Sequence, residues 1–160
     1  MKRRIALCIL FALIAAVPGR AEKYSGPRPK KADVPYLLHG DDLAETESAE
    51  AREETRKDDK VYTIQGANSP ARTPLAGPIF VLKTDKLDAA RLELYRLESK
   101  NGRREVTVSR KKKNVTRPLR LSVSRLEEGL YRIEVDQSLE NGEYALTPSE
   151  SNQSFCFQVY

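Results

Sequence analysis

The fold is decided by residues 95–108, which read Y-R-L-E-S-K-N-G-R-R-E-V-T-V. Asn101-Gly102 is the pair that type I′ hairpin turns prefer, because both central residues of that turn have positive φ. Folding the chain at this turn places four large side chains on one face, with Leu97 opposite Val106 and Tyr95 opposite Val108. The other face carries charges, with Glu98 opposite Glu105 and Lys100 opposite Arg103. The stretch therefore predicts an antiparallel hairpin that buries one face.

The same alternation of apolar and polar side chains continues after the hairpin. Apolar residues occupy every second position in three later segments: Leu119, Leu121 and Val123; Tyr131, Ile133 and Val135; Phe155, Phe157 and Val159. Shorter strands are predicted at 61–65, 79–82 and 143–147. Roughly seven or eight strands with frequent turn signals predict an all-β domain over residues 61–160, built as an antiparallel two-sheet sandwich.

Residues 1–21 have the layout of a secretory signal peptide. Three basic residues at positions 2–4 precede an apolar run at 5–17, and Gly19-Arg20-Ala21 matches a small-x-small cleavage site. The run is shorter than the roughly 20 residues that a membrane-spanning helix needs. We therefore expect a chain exported to the periplasm or the extracellular space, with no membrane span after cleavage; the alternative is a retained anchor.

Loss of the signal peptide changes the charge balance. The full chain has 28 basic and 23 acidic residues and a formal charge of +5. Four of the bases and none of the acids lie in residues 1–21, which leaves 24 bases against 23 acids. A nearly neutral mature chain gives no reason to expect nucleic acid as a partner.

Residues 22–40 predict an extended Pro/Lys tether ahead of the domain. They contain Pro27, Pro29 and Pro35 and show no periodicity. Residues 34–38 are its apolar patch, which could dock on the domain.

Residues 41–60 differ sharply, with nine acids and four bases. Asp42 and Glu45 have the spacing of a helix capping box, but Leu43 is the only large apolar residue within 41–60, so no hydrophobic stripe exists. The segment predicts either a solvated helix or a disordered acidic region.

Leu139, Gly142 and Tyr144 form a Leu-x-x-Gly-x-Tyr pattern at the start of a predicted strand. The pattern resembles the tyrosine corner of immunoglobulin-like and fibronectin-III-like domains, in which the tyrosine hydroxyl bonds back to upstream backbone. The resemblance covers residues 61–160, and the layout is similar to small exported bacterial proteins of unassigned function. The chain departs from typical members in having no Trp and no paired core cysteines. The resemblance implies an adhesive or scaffolding module without a particular ligand.

The residue inventory excludes several chemistries. His39 is the only histidine and lies in the predicted tether, so no histidine-based metal site or catalytic triad can form within one chain. No nucleotide-binding or cofactor-binding motif occurs, and we expect neither cofactor nor metal. Cys156 is the only cysteine after the signal peptide, which leaves open a covalent dimer or an unpaired, half-buried thiol.

A basic cluster surrounds the hairpin and is the candidate binding surface. Residues 96–125 hold eleven bases and two acids. The exterior and loop residues selected from this cluster are Arg103, Lys111, Lys112, Lys113, Arg117 and Arg120. They form either a binding surface for an anionic partner, such as a polysaccharide or an acidic envelope protein, or a solvated strand exterior. A third interpretation is that the acidic segment 41–60 lies against the cluster and masks it.

These observations favour a non-catalytic exported module with a binding or structural role in the cell envelope or extracellular space. Polyanion binding through residues 103–120 is one alternative. A hydrolase that uses two carboxylates in a cleft is the other, although the sequence singles out no such pair.

Overall fold

The computed structural model describes residues 23–109 and 116–160. The predicted signal peptide, residues 1–21, lies outside these ranges. The strands in chain order are β1 (Val34–His39), β2 (Asp42–Glu45), β3 (Glu47–Glu50), β4 (Arg52–Arg56), β5 (Asp59–Gln65), β6 (Arg72–Thr73), β7 (Ile79–Lys83), β8 (Leu92–Lys100), β9 (Arg103–Val108), β10 (Leu121–Glu127), β11 (Leu130–Val135), β12 (Gly142–Pro148) and β13 (Gln153–Val159). A single 3-10 turn, Ala89–Arg91, precedes β8.

These strands form two sheets, which confirms the predicted all-β, two-sheet architecture. The first, called the open sheet here, has the order β10-β11-β7-β1-β2. The second has the order β3-β13-β12-β8-β9-β5-β4, with β6 added in parallel beside β13. All other pairings are antiparallel, as the alternating sequence and tight turns predict.

The second sheet closes on itself and is called the closed sheet here. Its two outermost strands, β3 and β4, are consecutive parts of one extended segment that is interrupted only at Ala51. The first part pairs with β13 and the second with β5. The same segment begins as β2 in the open sheet, so residues 42–56 join the two sheets.

The main hydrophobic core lies between the open sheet and strands β8, β12 and β13. Phe80 meets Phe157 edge to face with ring centroids 5.1 Å apart, and Tyr144 stacks on Phe157 at 5.6 Å. Leu94 and Leu146 from the closed sheet are fully buried in the same layer. Burial of such side chains stabilises a domain by about 1.5–3 kcal/mol each, so the fold holds together without a disulfide.

The opposite faces of β8, β12 and β13 point into the closed sheet and form a second, smaller apolar cluster. Its buried members are Ala51, Ile64, Leu97, Ala145 and Cys156, with Ala49, Tyr62 and Val106 packed against them. Over much of their length, strands β8, β12 and β13 are therefore buried on both faces, and they lie between the two apolar clusters.

The predicted hairpin is present, and its turn has the expected geometry. Asn101 and Gly102 have φ of 53° and 74°, and Glu98 pairs with Glu105 and Lys100 with Arg103 as predicted. The paired register ends there. The expected pairs Leu97–Val106 and Tyr95–Val108 do not form, because β8 and β9 separate beyond Glu98 and the Leu94 carbonyl accepts instead from Leu119 N–H. The four side chains still share one face.

The expectation of a helical or disordered segment at 41–60 is wrong. These residues form β2, β3, β4 and the start of β5. The positions that face the closed-sheet interior are small or acidic, including Ala49 and Ala51, so the sequence shows no apolar alternation. Lys57 is a turn residue with φ of 59°, and Glu53 pairs across the strands with Lys60 at 2.6 Å.

Part of the predicted tether also belongs to the fold. Residues 34–38, expected as an apolar patch, lie within β1, which pairs with both β2 and β7 in the open sheet. Tyr36 and Leu37 are buried there. The folded unit thus includes strands that precede the expected start at Val61.

Candidate functional site

The closed sheet encloses a cavity of about 490 Å³ that opens at one end. Its floor is apolar, formed by the buried side chains of Ala51, Ile64, Leu97 and Ala145. Tyr62, Tyr95, Val106 and Val108 contribute to the walls. Small-molecule sites in proteins have volumes of roughly 300–1,000 Å³, so the cavity has the size of a ligand site.

The cavity exists because β8 and β9 diverge towards this end. A closed sheet of about eight strands is just filled by its own side chains. The closed sheet here has only six strand positions if β3 and β4 are counted as one, so without the divergence of β8 and β9 its interior would be narrower. Pairing of β8 with β9 is limited to the hairpin end, whereas β9 stays paired with β5 as far as Val108. Small side chains at Ala51, Ala145 and Ser154 keep the widened end empty.

Counted over residues 23–109 and 116–160, the rim of the cavity is polar and carries a net negative charge. It is formed by Glu53 and Lys60 on one side, Glu93 on β8, and the turn at 149–152. Two of the rim carboxylates have cationic partners: Glu53 lies 2.6 Å from Lys60, and Glu150 lies 3.3 Å from Arg91.

Glu93 differs from the other rim carboxylates in its partners. It accepts hydrogen bonds from the Tyr95 hydroxyl at 2.9 Å and from the Ser149 hydroxyl at 3.4 Å. Burial raises the pKa of the Tyr95 phenol, and the bond to Glu93 and the charge of Glu93 raise it further. Tyr95 therefore stays a neutral donor at ordinary pH and fixes the Glu93 carboxylate in the cavity wall.

The hairpin end of the closed sheet is filled by an ionic cluster around Arg104. The Arg104 side chain is 0% exposed. Its two terminal nitrogens bind both carboxylate oxygens of Glu47, at 2.6 and 2.9 Å. Further N–H groups donate to the backbone oxygens of Gly66 and Gln65, both at 2.9 Å. The bidentate pair and the carbonyl bonds satisfy the buried guanidinium.

Glu143 is the third charged member of this cluster. Its Oε2 lies 3.8 Å from Arg104 Nη1 and accepts the Ser69 backbone N–H at 2.9 Å. Burial raises the pKa of Glu143, and the Ser69 and Arg104 contacts offset the rise only in part. Burial also acts on Glu47, but the hydrogen bonds from Arg104 and Ser69 outweigh it and lower the pKa of that carboxyl. The pKa values of the two carboxyl groups beside Arg104 are thus shifted in opposite directions.

Cys156 lies fully buried beside this cluster. It is unpaired and 0% exposed. Burial raises the pKa of its thiol to about 12, so the reactive thiolate is suppressed. The structure therefore places Cys156 as a small interior side chain rather than at the surface.

The predicted basic binding surface is only partly assembled. Arg103 lies 3.6 Å from Glu105, and Arg56 lies 3.8 Å from the same carboxylate. Arg117 and Arg120 are exposed. Lys111, Lys112 and Lys113 lie outside the described residues. Polyanion binding stays a prediction, and so does the carboxylate hydrolase.

One internal contact joins the acidic segment to the basic cluster, whereas masking of the exterior basic residues stays a prediction. Glu47, from the acidic segment, pairs with Arg104, from the basic cluster. The contact is internal to the closed sheet and was not identifiable from either charge run, because it depends on β3 lying at the edge next to β13.

The residues predicted to have structural roles are where the sequence placed them. Tyr144 is buried and its hydroxyl donates to the Glu140 carbonyl at 2.8 Å, the bond expected of the tyrosine corner. Gly142 begins β12, and a Cβ there would lie 3.6 Å from the Arg96 guanidinium. Asn101 and Gly102 form the hairpin turn.

The sequence reasoning missed the cavity residues as a group. Tyr62, Glu93 and Ala145 come from three strands that meet only through closure of the sheet. The alternation of Glu93, Tyr95 and Leu97 indicates that these side chains share one face of β8, but it does not indicate that this face lines a cavity.

Comparison with known proteins gave no assignment: no family model matches the chain, and neither the curated proteins nor the solved structures contain a significant match. Among residues 23–109 and 116–160, no group of three or more His, Cys, Asp or Glu side chains is arranged to hold a metal ion. The same part of the chain has no helix with the length and apolarity needed to cross a membrane.

Proposed function

We propose that this protein is a non-catalytic exported binding module of the cell envelope or extracellular space, and that the closed-sheet cavity is its binding site. The observation that carries the proposal is the cavity of about 490 Å³, with an apolar floor and a polar rim. Apolar lining with a few oriented polar groups is typical of small-molecule sites.

A binding role is favoured over hydrolysis by the cationic partners of two of the three rim carboxylates described. Glu53 and Glu150 are engaged by Lys60 and Arg91. A hydrolytic pair needs one carboxyl to donate a proton while the other acts as a base or nucleophile, and carboxylates held by cations are poor proton donors.

Export is supported by the signal-peptide pattern in residues 1–21. We further propose that the sandwich is immunoglobulin-like. Support for this comes from the bond between the Tyr144 hydroxyl and the Glu140 carbonyl, which is the signature contact of a tyrosine corner.

The proposal is tested with N-phenyl-1-naphthylamine, an uncharged probe whose fluorescence rises in apolar surroundings. We expect saturable binding of one equivalent to the purified chain. Ala145→Leu fills the floor of the cavity and should weaken binding at least tenfold, whereas Ala76→Leu, the same change at an exposed loop position, should leave it unchanged. Circular dichroism checks that both variants fold.

Two results would contradict the proposal. One is an absence of saturable binding to the unmodified chain. The other is a folded Ala145→Leu variant that binds the probe as tightly as the unmodified chain, because the probe would then occupy another surface.

A further inference from the structure

Glu93 is the one rim carboxylate that interacts only with neutral donors among the described residues. Its partners are the hydroxyls of Tyr95 and Ser149, whereas Glu53 and Glu150 are each within 3.3 Å of a cation. A carboxylate accepts stronger hydrogen bonds from a cationic donor than from a hydroxyl. Glu93 is therefore the position in the cavity wall where the positive charge of a ligand would be stabilised most.

The surroundings of Glu93 favour an organic cation over a hydrated metal ion. The aromatic rings of Tyr62 and Tyr95 line the cavity beside it, and aromatic faces attract ammonium groups. Below them lie Ile64, Leu97 and Ala145, all buried and apolar. This surface can hold a hydrocarbon body but supplies no further oxygen ligands for a metal.

The charge of the rim points the same way. Among the residues that the structure describes, its carboxylates are Glu53, Glu93 and Glu150 and its cation is Lys60, and Arg91 beside Glu150 brings the balance to −1. Lys60 is 2.6 Å from Glu53, which reduces its repulsion of a second positive group. An anionic ligand would have to pass the negative charge of Glu93, which has no cationic partner among the described residues, to reach the apolar floor.

We propose that the closed-sheet cavity binds a small amphipathic organic cation, an amine or ammonium compound with an aryl or alkyl body. The ammonium group binds Glu93 at the rim, and the apolar body lies against Leu97, Ile64 and Ala145. This inference rests on the proposed function and adds the chemical class of its ligand.

The test compares three probes of nearly equal shape: 4-phenylbutylamine, 4-phenylbutan-1-ol and 4-phenylbutanoate. Affinities are measured by isothermal titration calorimetry on the purified chain at pH 7. We expect the amine to bind at least tenfold more tightly than the alcohol, and the carboxylate to bind most weakly. Ala145→Leu should weaken the amine and the alcohol together, because both place the same body on the floor.

Glu93→Gln tests the assigned contact. It keeps the shape and an acceptor for the Tyr95 hydroxyl but removes the charge, so it should abolish the preference for the amine while alcohol affinity stays within about twofold. Glu98→Gln is the matched control, because it removes the same charge from an exposed position of the same strand. We expect it to leave all three affinities unchanged.

The outcomes separate the two proposals. If the alcohol binds and the amine shows no advantage, the ligand class is wrong and the cavity remains a binding site. If the amine preference survives Glu93→Gln, the contact is wrong. If neither these compounds nor N-phenyl-1-naphthylamine bind the folded chain, the proposed function itself fails.

Discussion

Glu143 shows how one buried side chain can shape the response of the protein to pH. Its carboxyl is 4% exposed, and its Oε1 has no hydrogen-bond partner in the described structure. Because burial raises its pKa, the folded chain holds a proton there more tightly than the unfolded chain does. Its contribution to stability is therefore fully present below the ordinary carboxyl pKa of about 4.3 and is lost as pH rises through the raised value.

Glu143→Gln should remove this dependence. The amide stays neutral and can still accept the Ser69 N–H, so the variant should gain stability relative to the unmodified chain as pH rises from 4 to 8. Urea denaturation at several pH values measures the difference. Glu128→Gln, an exposed turn position, should show a much smaller change, and a difference that falls with rising pH would contradict the assignment.

Individual residues were predictable where their role is local. The turn geometry of Asn101 and Gly102 and the hydroxyl bond of Tyr144 depend on neighbours within a few positions. The inward position of Arg104 also follows from the alternation in residues 103–108, which places it on the same face as Val106 and Val108. Its partner Glu47 did not, since the two are 57 residues apart and meet only through pairing of distant strands.

At the level of elements, the β8–β9 hairpin determines both the closure of the sheet and the cavity. Its turn holds the two strands together at one end, and their separation at the other end creates the empty volume. The turn depends on Gly102, whose φ of 74° is accessible to glycine at no steric cost.

Gly102→Ala should lower the free energy of unfolding by about 1–2 kcal/mol, the cost of placing a Cβ in the left-handed region. No heavy atom lies within 4 Å of the added Cβ, so the effect isolates backbone conformation. Gly77→Ala is the control, because its Cβ also meets nothing and its φ is not positive; it should change stability by less than about 0.5 kcal/mol. Equal effects at both positions would show that the turn geometry is not limiting.

Strands with an apolar face were predicted well, whereas those that face the closed-sheet interior were not. β10, β11 and β13 carry large aliphatic or aromatic residues at every second position, which indicates burial directly. β3 and β4 place alanine and glutamate inward, and this composition is also typical of helices. Local composition left a helix or a disordered segment open at 41–60, and pairing with β13 and β5 determined the strands.

At the scale of the whole molecule, the continuous segment 42–56 makes the two sheets interdependent. It supplies β2 to the open sheet and both outermost strands to the closed sheet. The cavity could not be predicted from the sequence for this reason: closure requires β3 to reach β13, about a hundred positions later in the chain.

Arg104→Met tests this interdependence. The variant leaves the buried Glu143 and the partly buried Glu47 without their cation, and loss of one partner of a buried ion pair typically costs about 3–5 kcal/mol. If the sheets unfold as one unit, amide hydrogen exchange should lose the same protection in β7 of the open sheet as in β5 of the closed sheet.

Arg132→Met is the reference variant, because it removes the partly exposed ion pair between Arg132 and Glu134. We expect it to lower the free energy of unfolding by about 0–1 kcal/mol. Protection that falls in β5 but is retained in β7 would show that the sheets unfold separately.

The shared segment also bears on how this protein avoids self-assembly. Unpaired backbone at the border of a sheet is a template on which another copy can polymerise. Here one length of backbone supplies both borders of the larger sheet, and each half of it is paired along one side, β3 with β13 and β4 with β5. An incoming strand at either of these borders would meet the other half of the same segment, whereas β10 of the smaller sheet lies outside that segment, so we expect growth of a fibre by strand addition to start at β10.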